Sequence, residues 1–335
     1  MDLMGGIRKE ARINHTDTAA FARYFKSLGE DTMVVMEACW NWGWLFDLLG
    51  TLPGITSVLL AHPAKTRIIA DAQIKTDKVD ARALATLLRG NLVAPVHAPS
   101  PAVRSSKHVL RQRIFIVRNR TMLRNRIHAL IDRQRDLERP QFSDMFGKKG
   151  IHWMDTLQLP QPDALLLREA LDHLRFINTQ VKELEVLIQA ESQANPTAQR
   201  VMSVPGIGLI TGSIIATEID GIARFNHSAK LCAYAGLVPS THASGGKVYH
   251  GKMLCFSNRW LKWAFIEAAW VSIGCSPYFG AIYRSHRARG KQANTAITIV
   301  ARRMCQIVWH VLQHDRDFSE ISPIMTPSPA ASNTI

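Results

Sequence analysis

A chain of 335 residues, 47% of them hydrophobic, has room for two or three domains with separate cores. Its formal charge of +14 points to a polyanionic partner, whether DNA, RNA or anionic lipid. No apolar run has the length of a bilayer span, no signal-peptide pattern opens the chain, and the five cysteines are scattered outside any C-x-x-C spacing. Membrane insertion, a disulfide framework and a zinc site are therefore not expected, and a reducing cytoplasm fits best.

Ile7 to Ile13 mixes polar and apolar residues as an exposed antiparallel strand would. Asn14 to Gly29 reads as a helix, and Met33 to Met36 as a strand covered on both faces, ending in Glu37. Catalytic groups in open α/β sheets collect at the carboxyl ends of strands, which is where Glu37 falls; a solvated strand-end glutamate is the plain alternative. Trp40, Trp42 and Trp44 open the next helix and are expected in the core rather than stacked on bases. A second buried strand, Ser57 to Ala61, and a short helix, Ala64 to Ala70, lead to Lys75-Thr-Asp77-Lys-Val-Asp80-Ala-Arg82. At 100° per residue Asp77 and Asp80 share a face with Leu84, Leu87 and Leu88, so they either cap the helix or turn inward toward a cation.

Between Arg104 and Arg135 ten basic residues face a single acid, Asp132, with Arg118, Arg120, Arg124 and Arg126 at the centre. The imbalance predicts a phosphate-tracking surface on helices whose packed side holds Ile116, Leu123, Ile127 and Leu130. Pro140 to Pro162 reads as a linker. Leu167, Ala170, Leu174, Ile177, Val181, Leu184 and Ile188 then step by threes and fours, the seam of a coiled coil or a long helical hairpin.

Further on, Val201 to Ile210 joins two apolar helices through Pro205-Gly206-Ile207-Gly208, readable as a helix-hairpin-helix phosphate contact or as a plain turn. A glycine-rich loop runs from Gly236 to Lys247 and includes Ser240, His242 and Ser244; Lys252 and Arg259 follow it. Helices are expected over Asn258 to Ile273, Pro277 to Arg289 and Gln292 to Gln313, with a disordered Ser/Pro-rich tail from Ser319.

Met36-Glu37-Ala38, the Lys75 to Arg82 segment, Arg120 to Leu130, and the Gly-Leu-x-Pro and Ser-Gly elements at Gly236 and Ser244 together resemble the DEDD-type transposases of the insertion sequence 110 family. The resemblance implies an α/β RNase H-like (RuvC-like) domain, a coiled-coil-like helical spacer, and an all-α domain containing the helix-hairpin-helix-like element. The corresponding ranges are 1–135, 136–198 and 199–316, with the tail over 317–335. It also implies DNA transposition or recombination, with Glu37, Asp77 and Asp80 as magnesium (Mg2+) ligands matching the second, third and fourth family acids. Ser244 matches the serine that attacks DNA, and Ser240 is the runner-up. Phosphate contacts fall to Arg118, Arg120, Arg124, Arg126, Pro205, Gly206, Gly208, Lys247, Lys252 and Arg259. A guide (bridge) RNA and a homodimer assembling to a tetramer are further implications.

The family's first acid has no counterpart, because Asp2 lies in no apolar strand, so either a start codon assigned late or a truncated copy is expected, with weakened catalysis for the chain as written. A junction-resolvase-like nuclease using the acids alone and a nucleic-acid-binding remnant are the rival readings.

Overall fold

The computed structural model describes residues 1–29, 31–69, 76–244, 247–253 and 257–318. The chain divides into two compact units, Met1–Pro101 and Ala102–Ile335.

The first unit is α/β. Strand β1 (Thr32–Glu37) runs parallel to β2 (Ile55–Ala61), with Glu37 paired to Ala61, and β2 pairs antiparallel with β3 (Pro95–Val96). The sheet is thus small and mixed, with order β1-β2-β3 among the described residues. Helices α1 (Thr18–Lys26), α2 (Trp42–Thr51), α3 (Pro63–Ile69) and α4 (Asp77–Arg89) complete the unit. Buried Leu49, Leu60, Ala61 and Leu87 show where its core lies.

Two expectations fail here. Residues 7–13 form no strand. Instead Glu10 is gripped by two cations of α4, accepting from Arg82 Nη2 at 2.9 Å and lying 2.9 Å from Lys78 Nζ. The segment is anchored by ion pairs on a helix rather than by a strand ladder. Trp42 and Trp44 pack edge-on against Phe46 and Phe21, but Trp40, one residue before the N-cap Asn41, is 95% exposed. It precedes the helix and has no apolar face to join.

The second unit starts with α5 (Pro101–Asp132), a helix of 32 residues, so the basic stretch is one element. After α6 (Lys148–Thr156), helix α7 (Asp163–Gln193) returns along it. Arg113 Nε donates to Glu185 Oε1 at 3.0 Å, Ile116 packs with Ile177 and Val181, and Ile127 and Ile131 pack with Leu167, Ala170 and Leu174. Rising numbers on α5 meet falling numbers on α7, which makes the pair antiparallel. The heptad seam is therefore buried within the chain, as the helical-hairpin reading requires.

Beyond this hairpin lie α8 (Pro196–Met202), α9 (Leu209–Ile219), α10 (Ser228–Tyr234), α11 (Arg259–Cys275), α12 (Pro277–Ala288) and α13 (Ala293–Gln313). Their largest cluster, which also takes in Leu110 and Ile114 of α5 and Ile188 of α7, centres on the fully buried Ile215, Phe265, Phe279 and Met304. The part expected to be all-helical also holds a β-hairpin, β4 (Pro239–Ser244) and β5 (Lys247–Met253). Two Gly residues separate the strands, the composition that two-residue hairpin turns favour. At the carboxyl end Asp317 pairs with Arg200 at 3.0 Å and the Phe318 ring stacks on Phe279, so these two residues are docked rather than part of a loose tail. The rest of the expected tail, from Ser319, lies outside the described residues.

Candidate functional site

The acids stand on two elements of the first unit. Glu37 ends β1 and is exposed. Thr76 caps α4, its hydroxyl accepting from the Val79 N–H at 3.3 Å, which leaves Asp77 and Asp80 in the first turn where the helix dipole favours carboxylates. Asp80 is half-buried beside the stripe of Leu84, Leu87 and Leu88, whereas Asp77 is exposed. Only one of the two carboxylates therefore continues the inward face. Lys75 lies outside the described residues.

A divalent metal needs several oxygen donors converging on one point. Among the described residues no group of three or more His, Cys, Asp or Glu side chains is placed to hold an ion. Glu37, Asp77 and Asp80 thus do not form a ready metal cage in this chain.

The basic helix is less free than its composition suggests. Lys107 and Arg111 both reach Glu218 of α9, at 3.0 and 2.9 Å. Arg111 and Arg118 lie over the Trp260 ring, and Arg124 lies 4.8 Å from the Phe146 ring centroid. Arg120 is half-buried, and burial first, then Arg124 and Arg113, pulls its pKa down. Arg118 and Arg126 are exposed, and neither has an acid partner among the described residues. Sequence reasoning grouped all four arginines; α5 separates them into two outward and two inward-leaning residues.

Burial disfavours charge on Glu218, yet Lys107, Asn258 and Arg111 outweigh it and hold the carboxyl below its ordinary pKa. Asn258 Nδ2 donates to Glu218 Oε2 at 2.8 Å, while Asn258 Oδ1 accepts from the Trp260 and Leu261 N–H groups and caps α11. One glutamate so ties α5, α9 and α11 together. Sequence reading missed it, although a lone acid in the apolar run Ile214 to Ile219 was a usable signal.

The Pro205 to Gly208 turn joins α8 to α9. Gly206 has φ +92°, and a Cβ there would stand 2.5 Å from the Ala268 carbonyl oxygen and 2.6 Å from Ser272 Cβ of α11. Its glycine is required by packing on α11. Gly208 is exposed with open space beside it, and Thr211 Oγ1 accepts its N–H at 3.1 Å. Pro205 is half-buried.

Ser244 ends β4, paired in register with Lys247, while His242 pairs with Tyr249. Ser240 lies at the irregular start of the ladder, between Pro239 and Thr241. Gly245 and Gly246 lie outside the described residues. Lys252 lies within β5, and Arg259, exposed, opens α11.

What class of protein carries acids at a strand end and a helix start, followed by a basic helical unit with a β-hairpin, is answered by comparison with known proteins: DNA transposases. A DEDD transposase description for IS110 matches residues 5–134, and the description "Transposase IS116/IS110/IS902 family" matches residues 198–284. The chain belongs to the IS110/IS116/IS902 family of transposases.

Among its relatives is a probable family 20 transposase of Pseudomonas aeruginosa, 26% identical over 84% of each chain. The transposase for insertion sequence element IS1111A of Coxiella burnetii is 26% identical over 72% of this chain and 66% of its own length. The pilin gene-inverting protein of Moraxella bovis is 27% identical over 44% of this chain and 48% of its own. No described helix is long and apolar enough to cross a membrane.

Proposed function

We propose that this chain cuts and rejoins DNA at the ends of an insertion sequence, with Ser244 as the nucleophile. The observation that carries the reading is the family match at both ends, one over the acid-bearing unit and one over the serine hairpin. In the proposed step the Ser244 oxygen attacks a backbone phosphorus, its proton passes to a base, and the deoxyribose oxygen leaves. One phosphoester bond replaces another, so the reverse attack rejoins the strand without an external energy source. Lys247, Lys252 and Arg259 are the residues assigned in this reading to balance the charge of the negative phosphorane.

Glu37, Asp77 and Asp80 are the proposed Mg2+ ligands. Because the described residues form no ready cage, the reading places metal binding in the assembled DNA complex. A bound metal would supply charge stabilisation at the phosphate. A guide RNA and pairing of protomers belong to the same reading. Phe115 and Met122 on α5 and Phe176 and Val186 on α7 are exposed apolar side chains that pairing with a second copy would cover in this reading.

The test is denaturing electrophoresis of full-length protein incubated with labelled element-end DNA. A covalent adduct lost in Ser244→Ala and kept in Ser240→Ala supports the assignment. Strand cleavage without any adduct would favour a nuclease that uses the acids alone, and DNA binding without cleavage or adduct would favour a binding remnant.

A further inference from the structure

Outside the elements assigned above, the strongest unbalanced charge on the second unit lies at the turn between α12 and α13. From Ala268 to His314 the sequence contains no Asp or Glu, while Arg284, Arg287, Arg289, Lys291, Arg302 and Arg303 fall within it. The first acids to follow, Asp315 and Asp317, are taken by Arg200 at 3.0 Å each. Arg284, Arg287, Arg289 and Lys291 are all exposed, and none has an acid partner among the described residues. The turn is held in one shape: Arg287 Nη1 donates to the Lys291 carbonyl at 2.8 Å, and Gly290 takes φ +76° with open space around it. His286 beside them has a buried Nδ1 without a hydrogen-bond partner, and burial, then Lys291 and Arg289, lower its pKa. Burial first, and then these two cations, thus favour the neutral form of the His286 ring.

We propose that this α12–α13 turn is a second duplex-DNA contact, in which Arg284, Arg289 and Lys291 hold consecutive backbone phosphates. The proposal rests on the DNA-recombinase reading and adds a surface that the serine hairpin and α5 do not include. Clustered cations on a fixed turn match a regular line of phosphates better than a single bound anion. Along α12 the stretch from Arg284 to Ala288 advances about 6 Å. Laid along the duplex axis, at ~3.4 Å of axis per phosphate of one strand, that length spans roughly two charges. Arginine dominates, and its planar fork suits bidentate phosphate contact. Duplex DNA is the occupant argued for because the family acts on DNA.

The experiment measures binding of the full chain to a mixed-sequence double-stranded oligonucleotide as salt is raised, with an RNA hairpin of equal length in parallel. Each phosphate contact contributes roughly 0.9 to the slope of log affinity against log salt. The triple variant Arg284→Gln/Arg289→Gln/Lys291→Gln should lower the duplex slope by about 2 to 3, with the thermal midpoint kept. The charge-conserving Arg284→Lys/Arg289→Lys should retain the slope. Should the triple variant misfold, single Arg289→Gln and Lys291→Gln variants should each lose about one unit. An unchanged duplex slope overturns the proposal, as does a loss confined to the RNA hairpin. If the parent chain fails to bind the duplex at all, the DNA-recombinase reading fails first; if an Arg118→Ala/Arg126→Ala variant lowers the slope and the turn variants do not, only this inference fails.

Discussion

Lys107 Nζ lies 3.0 Å from Glu218 Oε2, and both side chains are nearly sealed from solvent, 10% and 5% exposed. A cation of the long basic helix is thereby buried against an acid of α9, 111 positions away in sequence. Removing one member of such a pair leaves the other buried without its counter-charge, typically costing about 3 kcal/mol or more. Glu218→Gln should therefore lower the urea midpoint clearly. Lys107→Met/Glu218→Gln should lose less than the two single variants summed, giving a coupling of about 1 kcal/mol or more in a double-mutant cycle. Strict additivity would show that the pair is not coupled.

The same carboxylate sets a direction for pH. Its folded pKa is depressed, so its stabilising contribution is complete above the unfolded value, 4.5, and disappears as pH falls through the lower folded value. Unfolding free energy should decline on acidification below that value, and Glu218→Gln should flatten this part of the profile. Denaturant melts across the acid range measure both curves; parallel profiles for parent and variant would remove Glu218 from the acid dependence.

Gly206 gives a prediction of a different kind. An alanine methyl there would meet the Ala268 carbonyl and the Ser272 backbone N–H at 2.5 and 2.7 Å, at a φ that L-residues rarely adopt. Gly206→Ala should destabilise the second unit by about 3 kcal/mol or more, combining overpacking with left-handed strain. Gly208→Ala, with nothing within 4 Å and an ordinary φ of −96°, should leave the thermal midpoint nearly unchanged. Equal losses at the two glycines would contradict the packing argument.

Periodicity made the buried sides of α7 and α13 legible, because burial follows the 3.6-residue repeat whatever the partner. It could not say that α7 buries its seam on α5, since pattern identifies a face and not its neighbour. The β4–β5 hairpin was hidden by Pro239, Ser240, Thr241 and His242, which lack the apolar alternation that marks a strand, although the Gly-Gly pair was in view. Residues 7–13 misled in the opposite direction. Their mixed pattern suggested an edge strand, while the decisive contacts were Glu10 to Lys78 and Arg82, pairs formed across about seventy positions that no local pattern contains. The acids of the candidate site were legible as a spacing on β1 and α4. The arginines of α5 were legible as a charge excess, but which of them face solvent depended on Trp260, Phe146 and Glu185.

That distinction can be measured. Arg118 and Arg126 are exposed, whereas Arg120 is half-buried near Glu185 and Arg124 lies over Phe146. Arg118 and Arg124 both lie over a ring, at 6.0 Å from Trp260 and 4.8 Å from Phe146, but Arg118 is exposed and more distant, so turning to a phosphate costs it less packing than it costs Arg124. Arg118→Ala/Arg126→Ala should reduce duplex affinity and its salt slope by about 2, with the smaller change in thermal midpoint of the two double variants. Arg120→Ala/Arg124→Ala should chiefly lower the midpoint, by about 1 kcal/mol of lost packing, with a smaller change in slope. Salt titrations and thermal melts of the two double variants separate the roles. A larger slope loss from the Arg120/Arg124 pair would mean that α5 turns its inward arginines to DNA on binding, and that the free helix shows a resting arrangement.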